Sequence, residues 1–465
     1  VSRRTLVFVA LALTQSLTTA GCSDDCCSFD GQPVTIKATS DGALWARIRD
    51  RDSLETGWAL LDTSSPVNLW QANAKQSKDL HEHSLDILAA EPVNGNTPLR
   101  ASFGGVWAQS VVLTSTVAEL DGPVLAVLGG EFWRNYAPIF DHNAESKPTV
   151  TFWERQPAST DFLDTAKYAV LEMDPLGGGQ LSAKGQPDIF GIRGPHQFPG
   201  SQMVVRGCAA AKKFVAATEV LAKCCKGEEQ TLATGVELAL VVSTGIGGVL
   251  ISESAWSRIN PASAMSPSVP AAGVPIFHPG YATAIIGRPA TLPSLALVNL
   301  ESDSSRDPGA CVELGRARRT ELVALSESES SSVAHCAEPC DRDPKDSGKG
   351  VASAAYVELT QGIEVFIIPD NSPILQAIRA EIRPEGPEID GLLGASALKS
   401  LRIELDYRPR PARLILSCQA SESEKCRAVG RCPRLPNKDS TRVCFDLPAL
   451  LLLPLTCDNP RPECQ

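Results

Sequence analysis

The chain has 465 residues, 43% of them hydrophobic, and a formal net charge of −11 at neutral pH. That length suits two or three domains or one large two-lobed one, with apolar residues enough for a sizeable core. The acidic balance argues against a nucleic-acid partner, whose binders carry basic patches that neutralise phosphates; it otherwise fits a secreted protein kept soluble by its charge.

The opening segment, VSRRTLVFVALALTQSLTTAGC, joins Arg3 and Arg4 to an apolar stretch from Leu6 to Leu13 and to small residues before Cys22. This is the build of an export signal. Thr19-Ala20-Gly21-Cys22 resembles a bacterial lipobox, with Thr19 where the usual pattern has an aliphatic residue. The resemblance implies cleavage before Cys22 and lipidation of its thiol. The alternative is an ordinary signal peptide with Cys22 free or bridged. Ser23, where an Asp would direct retention at the inner membrane, implies a lipid anchor in the outer membrane, with the protein periplasmic or on the cell surface. Residues 22–33 read as a tether. Setting Cys22 aside leaves an even number of the fifteen cysteines in an exported chain, so disulfides are the default. No later apolar run is long enough to span a bilayer.

From residue 34 onward short strands dominate: VTIKA, ALWARIR, GWALLD, SVVLTSTVA and TVTFW are rich in Val, Thr, Ile and Trp with partial alternation. In WALLDTSSPVNLW the apolar strand ends on Asp62, followed by Thr63 and Ser64; taken alone, Asp, Ser and Pro there describe a turn. LHEHSL (80–85) sets His81 and His83 on one side, as metal ligands could be, but no third ligand is evident and a solvated loop is expected. The first half closes with PVLAVLGGEFWRNYAPIFDHNAESKPTVTFW (123–153).

Residues 157–200 are rich in turn formers and read as a connector; LGGGQ within them lacks the Lys-Ser/Thr of a phosphate loop. AAAKKFVAATEVLAKCC (209–225) has the clearest helical pattern. ALVVSTGIGGVLI (239–251) is a strand and a Gly-rich turn with no βαβ unit after it, and its serine is outside a Gly-x-Ser-x-Gly elbow. Residues 301–350 are an acidic, serine-rich insertion that includes HCAEPC (335–340), expected to be bridged cysteines more than half a metal site. PEIDGLLGASALKSLRIELDYRPRPARLILS (387–417) closes the second half, and Cys418, Cys426, Cys432, Cys444, Cys457 and Cys464 crowd a stapled tail whose pairing spacing cannot give.

The halves repeat each other. Leu128-Gly129 falls on Leu393-Gly394, Asp141 on Asp406, and the Asp62 turn on the Ser243 turn. A strand ending in Asp-Thr-Gly, followed later by apolar-apolar-Gly and a short helix, resembles a lobe of the pepsin and retropepsin aspartic peptidases. The resemblance covers roughly residues 34–156 and 201–418. It implies an all-β fold of two pseudo-symmetric pepsin-like lobes with short helices, plus the Cys-rich tail at 419–465. It further implies a site at the lobe seam made by Asp62, Thr63, Ser243, Thr244 and Gly245. In that family two aspartates share one proton, one acting as base on water and the other as acid to the carbonyl. The Thr residues brace the loops and the Gly permits a tight turn.

This chain departs from that pattern. Ser64 replaces the first Gly and Ser243 the second Asp. A hydroxyl cannot replace a carboxyl as proton shuttle, and losing one acid–base group commonly costs about 10²–10⁴ in rate. The family's lid hairpin carries a Tyr; the candidate here is ASFGGVWAQS (101–110), with Phe103 or Trp107 at the tip and plain strand packing as the alternative. The expectation is an aspartic-peptidase-like lipoprotein whose hydrolysis is in question, with an inactive peptide- or protein-binding relative and a structural envelope lipoprotein as alternatives. It would act on a polypeptide substrate or ligand, as a monomer, without a cofactor or metal.

Overall fold

The computed structural model describes residues 33–72, 80–91, 99–113, 117–142, 147–153, 168–177, 179–181, 196–198, 200–214, 235–260, 273–276, 278, 285–299, 309–315, 355–360, 362–382, 387–409, 411–419 and 426–429. The signal segment with Cys22, most of the tether and acidic insertion, HCAEPC and the tail beyond residue 429 lie outside them.

The first half contributes β1 (Pro33–Thr35), β2 (Lys37–Ala38), β3 (Leu44–Asp50), β4 (Thr56–Leu61), β5 (Asn68–Gln71), β6 (Leu80–Leu88), β7 (Leu99–Val111), β8 (Val124–Leu128), α1 (Gly130–Asn135), β9 (Ile139–Asp141) and β10 (Thr149–Thr151). Strands β2 to β8 form one sheet in the order β2-β3-β4-β8-β5-β7-β6, and β3 also pairs with β6, so the sheet curls closed. β8 enters between β4, to which it runs parallel, and β5, to which it runs antiparallel. Such an inserted strand has neighbours on both edges and side chains packed on both faces. That is why Val124–Leu128 is apolar and buried at every position.

Between the halves, β11 (Ala169–Met173) is followed by a small hairpin of β12 (Gly179–Leu181) and β13 (His196–Phe198). The second half then gives β14 (Val204–Ala210), β15 (Val236–Val242), β16 (Val249–Ser252), α2 (Glu253–Ile259), β17 (Val274–Ile276), β18 (Ile285–Leu292), β19 (Ser294–Val298), β20 (Tyr356–Leu359), β21 (Ile363–Ile368), α3 (Pro373–Glu381), β22 (Gly391–Leu393), α4 (Ala395–Leu398), β23 (Leu401–Asp406), β24 (Ala412–Cys418) and β25 (Cys426–Val429). The pairing repeats the first half. β22 enters between parallel β15 and antiparallel β16, and β16 runs parallel to β21 as β5 does to β7. Pro293 separates β18, which pairs with β21, from β19, which pairs with β14; the two together do what β6 does against β7 and β3.

A six-stranded sheet, β1-β10-β9-β23-β24-β11, joins the lobes. β9 and β23, the strands closing on Asp141 and Asp406, pair antiparallel across the seam. One apolar cluster runs through both lobes and this sheet. The fold is therefore all-β and two-lobed, with a duplicated strand order and few short helices.

Three expectations change. Ala209 and Ala210 belong to β14, not to a helix beginning at 209: Ala209 pairs with Val236 on one side and Leu295 on the other. Small side chains there fit between two flanking strands, and tertiary pairing overrides the alanine-rich local pattern; residues 215–225 lie outside the described chain. His81 and His83 sit in β6, not in a loop, and the His83 ring stacks on Trp70 at 4.0 Å. Phe103 and Trp107 lie within the 13-residue strand β7, not at a hairpin tip. Phe103 is buried among Phe132, Tyr136 and Phe152, and Trp107 pairs opposite Glu82. Among the described residues there are two disulfides. Cys208–Cys311 ties β14 to a short helix at 310–315, and Cys418–Cys426 ties the end of β24 to β25, the start of the Cys-rich tail.

Candidate active site

Each lobe drives one turn to the seam by the same device. The Asp62 N–H donates to the Leu128 carbonyl at 3.0 Å, and the Ser243 N–H to the Leu393 carbonyl, also at 3.0 Å. The glycines that follow those leucines are required by close approach. A Cβ on Gly129 would fall 2.2 Å from the Val67 carbonyl oxygen, and one on Gly394 2.0 Å from that of Gly248. In the first lobe Asn68 adds a brace, accepting from the Gly129 N–H at 2.8 Å and donating to the Trp107 carbonyl at 2.9 Å. Trp107 thus supports the site through its backbone.

The two turns interlock with twofold symmetry. Thr63 Oγ1 donates to the Val242 carbonyl at 2.8 Å, and Thr244 Oγ1 to the Leu61 carbonyl at 2.5 Å. Each Thr N–H also points at the other Thr hydroxyl, both at 3.3 Å. All five residues expected from sequence therefore meet: Asp62, Thr63, Ser243 and Thr244 are buried together, and a Cβ on Gly245 would sit 2.5 Å from that of Asp62.

Ser243 faces Asp62 across the seam, and its Oγ donates to Asp62 Oδ1 at 2.9 Å. Ser64 also holds Asp62. Its N–H and its hydroxyl both reach Oδ1, at 2.9 and 2.7 Å, and its Oγ lies 3.0 Å from that of Ser243. By the twofold symmetry Ser64 faces residue 243 as Gly245 faces Asp62. A Cβ is tolerated at 64 because a serine, shorter than an aspartate, stands opposite.

The remaining carboxylate oxygen is taken by a residue that no motif or repeat singles out. His278 Nε2 lies 3.1 Å from Asp62 Oδ2, and both side chains are at most 4% exposed. His278 follows β17 by two residues, in a hairpin rich in Pro and Gly, 216 positions from Asp62. Burial, the largest single influence on Asp62, pushes its carboxyl upward. The hydrogen bond and positive charge of His278, with the two Ser64 donors, outweigh it and hold Asp62 below the ordinary carboxylate range.

A second acid stands nearby. The segment joining the lobes passes behind both turns: Gln202 Nε2 donates to the Ser64 carbonyl at 3.1 Å and to Glu381 Oε2 at 2.8 Å, while the Met203 carbonyl accepts from the Val242 N–H at 2.9 Å. Glu381, at the end of α3, is largely buried. Burial first, and the negative charge of Asp62 with it, raise its carboxyl to about 7 against the Gln202 hydrogen bond. Among the described residues no group of three or more His, Cys, Asp and Glu is placed to hold a metal ion.

Two pseudo-dyadic β lobes, each delivering a braced turn to a shared seam, define a protein of pepsin-like build; the duplicated strand pairing carries that statement. Among solved structures the chain is similar to an aspartic proteinase from Irpex lacteus, at 10% identity over 83% of this chain and 97% of that one, with a TM-score of 0.37. It is likewise similar to the soybean basic 7S globulin, at 10% identity over 84% and 95% with a TM-score of 0.35, and to the protein edgp, at 10% identity over 84% and 96% with a TM-score of 0.38. No protein-family model and no curated protein sequence matches the chain.

Proposed function

We propose that this chain is a polypeptide-binding protein on an aspartic-peptidase scaffold that has given up peptide-bond hydrolysis. The observation that carries this reading is the state of Asp62. One oxygen accepts from Ser64 N–H, Ser64 Oγ and Ser243 Oγ, and the other contacts His278. Hydrolysis by this scaffold needs one ionised and one protonated carboxyl sharing a water. Here the partner position is an alcohol, and the surviving carboxylate is stabilised in its charged form. Glu381 is a proton carrier, but Gln202 lies between it and Ser64. In the same reading the chain is exported and held at the outer membrane by lipid on Cys22. Mass spectrometry of the N-terminal peptide of the mature protein, with and without C22S, tests that part.

The test of the central claim is proteolysis of denatured protein at acid pH. The wild type is expected to bind it without cutting. Cleavage abolished by D62A would establish a peptidase instead. Restoring a second acid requires room as well as a carboxyl, so S64G/S243D/H278A, and not S243D alone, is expected to gain acid proteolysis.

A further inference from the structure

The long hairpin of β6 and β7 changes character along its length. Residues 85–88 lie between two strands, pairing with β7 at 99–103 and with β3 at 47–50. Among the described residues, 80–83 pair with β7 alone, at 106–109. Between the two stretches one residue of β6, Ser84, faces two of β7, Gly104 and Gly105. Such an extra residue bends the strand and interrupts the ladder. Gly105 takes a φ of +69°, which glycine adopts without steric cost, and both glycines are exposed. The bulge makes a hinge, and residues 80–83 are the arm beyond it.

That arm carries two histidines on one face. His81 and His83 pair opposite Ala108 and Val106, so both side chains leave the same side of β6, where the His83 ring stacks on Trp70 at 4.0 Å. Nε2 of each is buried and has no hydrogen-bond partner. For a neutral imidazole that is a limited loss. An imidazolium carries N–H on both nitrogens, and a buried charged donor without an acceptor costs far more. The charged groups nearby are engaged elsewhere. Asp50 accepts from the Asp52 N–H and the Ser53 hydroxyl in its own turn, and Asp86 is held by Arg49 and Ser102, with Arg51 beside it. Glu82 is exposed on the opposite face, and residues 106–109 of β7 and 68–71 of β5 include no ionisable side chain. Burial holds the His83 imidazole below the ordinary histidine range; His81 adds to the fall, and the charges of Asp50 and Asp52 oppose it. Among the described residues no third His, Cys, Asp or Glu joins the pair to hold a metal ion, and the proton is the cation the pair takes.

Proton uptake is therefore linked to opening. The closed arm favours neutral rings, whereas rings released to water take protons at the ordinary value of about 6.5. Because the open form binds the extra protons, the closed form is fully favoured above that pH and loses ground as pH falls below it. The arm also bears on the seam. Trp107 lies between the two residues opposite the histidines, and its carbonyl accepts from Asn68, which accepts in turn from the Gly129 N–H behind the Asp62 turn. We propose that residues 80–83 form an acid-responsive arm: protons taken up by His81 and His83 part it from β7 and Trp70 and slacken the Asn68 brace of the Asp62 turn. This goes beyond the polypeptide-binding reading and does not depend on it.

Hydrogen exchange of the full chain at pH 7.5 and 5.5, read by mass spectrometry and corrected for intrinsic rates, tests it. In the wild type, peptides covering 80–83 and 106–109 are expected to lose protection at pH 5.5, by up to about tenfold for each histidine charged only in the open form. Protection at 68–71 should fall with them, while β14 and β15 hold theirs. H81Q/H83Q, which cannot take up the protons, should show equal protection of the arm at both pH values. Unchanged protection of the wild-type arm overturns the proposal. So does an equal fall in H81Q/H83Q, or a fall of the same size in β14 and β15, which would mark a general loss of stability in acid. An arm that opens without any change at 68–71 overturns the link to Asn68. Should H81Q/H83Q fail to fold, H83Q is compared instead: a smaller pH response than wild type supports the proposal, and an undiminished one overturns it.

Discussion

Glu381 offers the sharpest quantitative test of the seam. In the unfolded chain its carboxyl titrates near 4.5, and in the folded protein near 7. Between those values the folded state holds a proton that the unfolded state has released, so stability falls as pH rises. The fall is complete once pH passes the folded value. A shift of this size corresponds to about 3 kcal/mol. Replacement by glutamine keeps an acceptor for Gln202 Nε2 and removes the ionisation. E381Q is therefore expected to match the wild type near pH 4.5 and to exceed it by about 3 kcal/mol at pH 8. Asp390 and Glu404 are also raised, in both cases chiefly by burial, and tilt the wild-type curve the same way. The difference between the two proteins, not the slope of either, isolates Glu381. Urea unfolding followed by tryptophan fluorescence and far-ultraviolet circular dichroism supplies the free energies, provided the two transitions coincide. Parallel curves for wild type and E381Q from pH 4.5 to 8 would refute the assignment of a neutral, buried Glu381 beside a charged Asp62.

Asp62 has the opposite sign: its folded value lies below 3.8, so its contribution is present above that pH and is lost as pH falls through the folded value. D62N should flatten that acid limb, read as unfolding midpoint against pH. T63V and T244V each leave a buried carbonyl unpaired and should cost about 1–3 kcal/mol; because the two bonds brace the same pair of turns, the double mutant should deviate from the sum by about 0.5 kcal/mol or more. G245A should cost about 1–3 kcal/mol by overpacking against Asp62, whereas S64G should be milder, and paired melting curves compare them. Opening Cys208–Cys311, which closes a loop of 103 residues, should cost about 4–5 kcal/mol on the chain-entropy account, measured on C208S/C311S.

Much of this architecture is legible in the residues alone. The apolar runs at 56–61, 124–128, 236–242 and 391–393 mark inserted, doubly covered strands, and the glycines at 129 and 394 mark close backbone approach. Asp62-Thr63 and Ser243-Thr244-Gly245 can be matched to each other because the halves repeat, and set opposite each other only through the resemblance to pepsin-like lobes. The alanine-rich stretch at 209 and the aromatics at 103 and 107 mislead for the complementary reason: which strands flank a segment is not written in the segment itself.

Short strands, their turns and the repeat of one half in the other are read from the amino-acid sequence unaided, because periodicity and short-range sterics are local; that the halves form two lobes with Asp62 facing Ser243 is what the resemblance to pepsin-like lobes implies. The environment of that aspartate follows from the folded arrangement and from nothing shorter in range. His278, Glu381 and Gln202 lie far from Asp62 along the chain and follow no repeat. A buried charge is governed by whatever the fold brings within a few ångströms of it, and that proximity leaves no mark on local sequence.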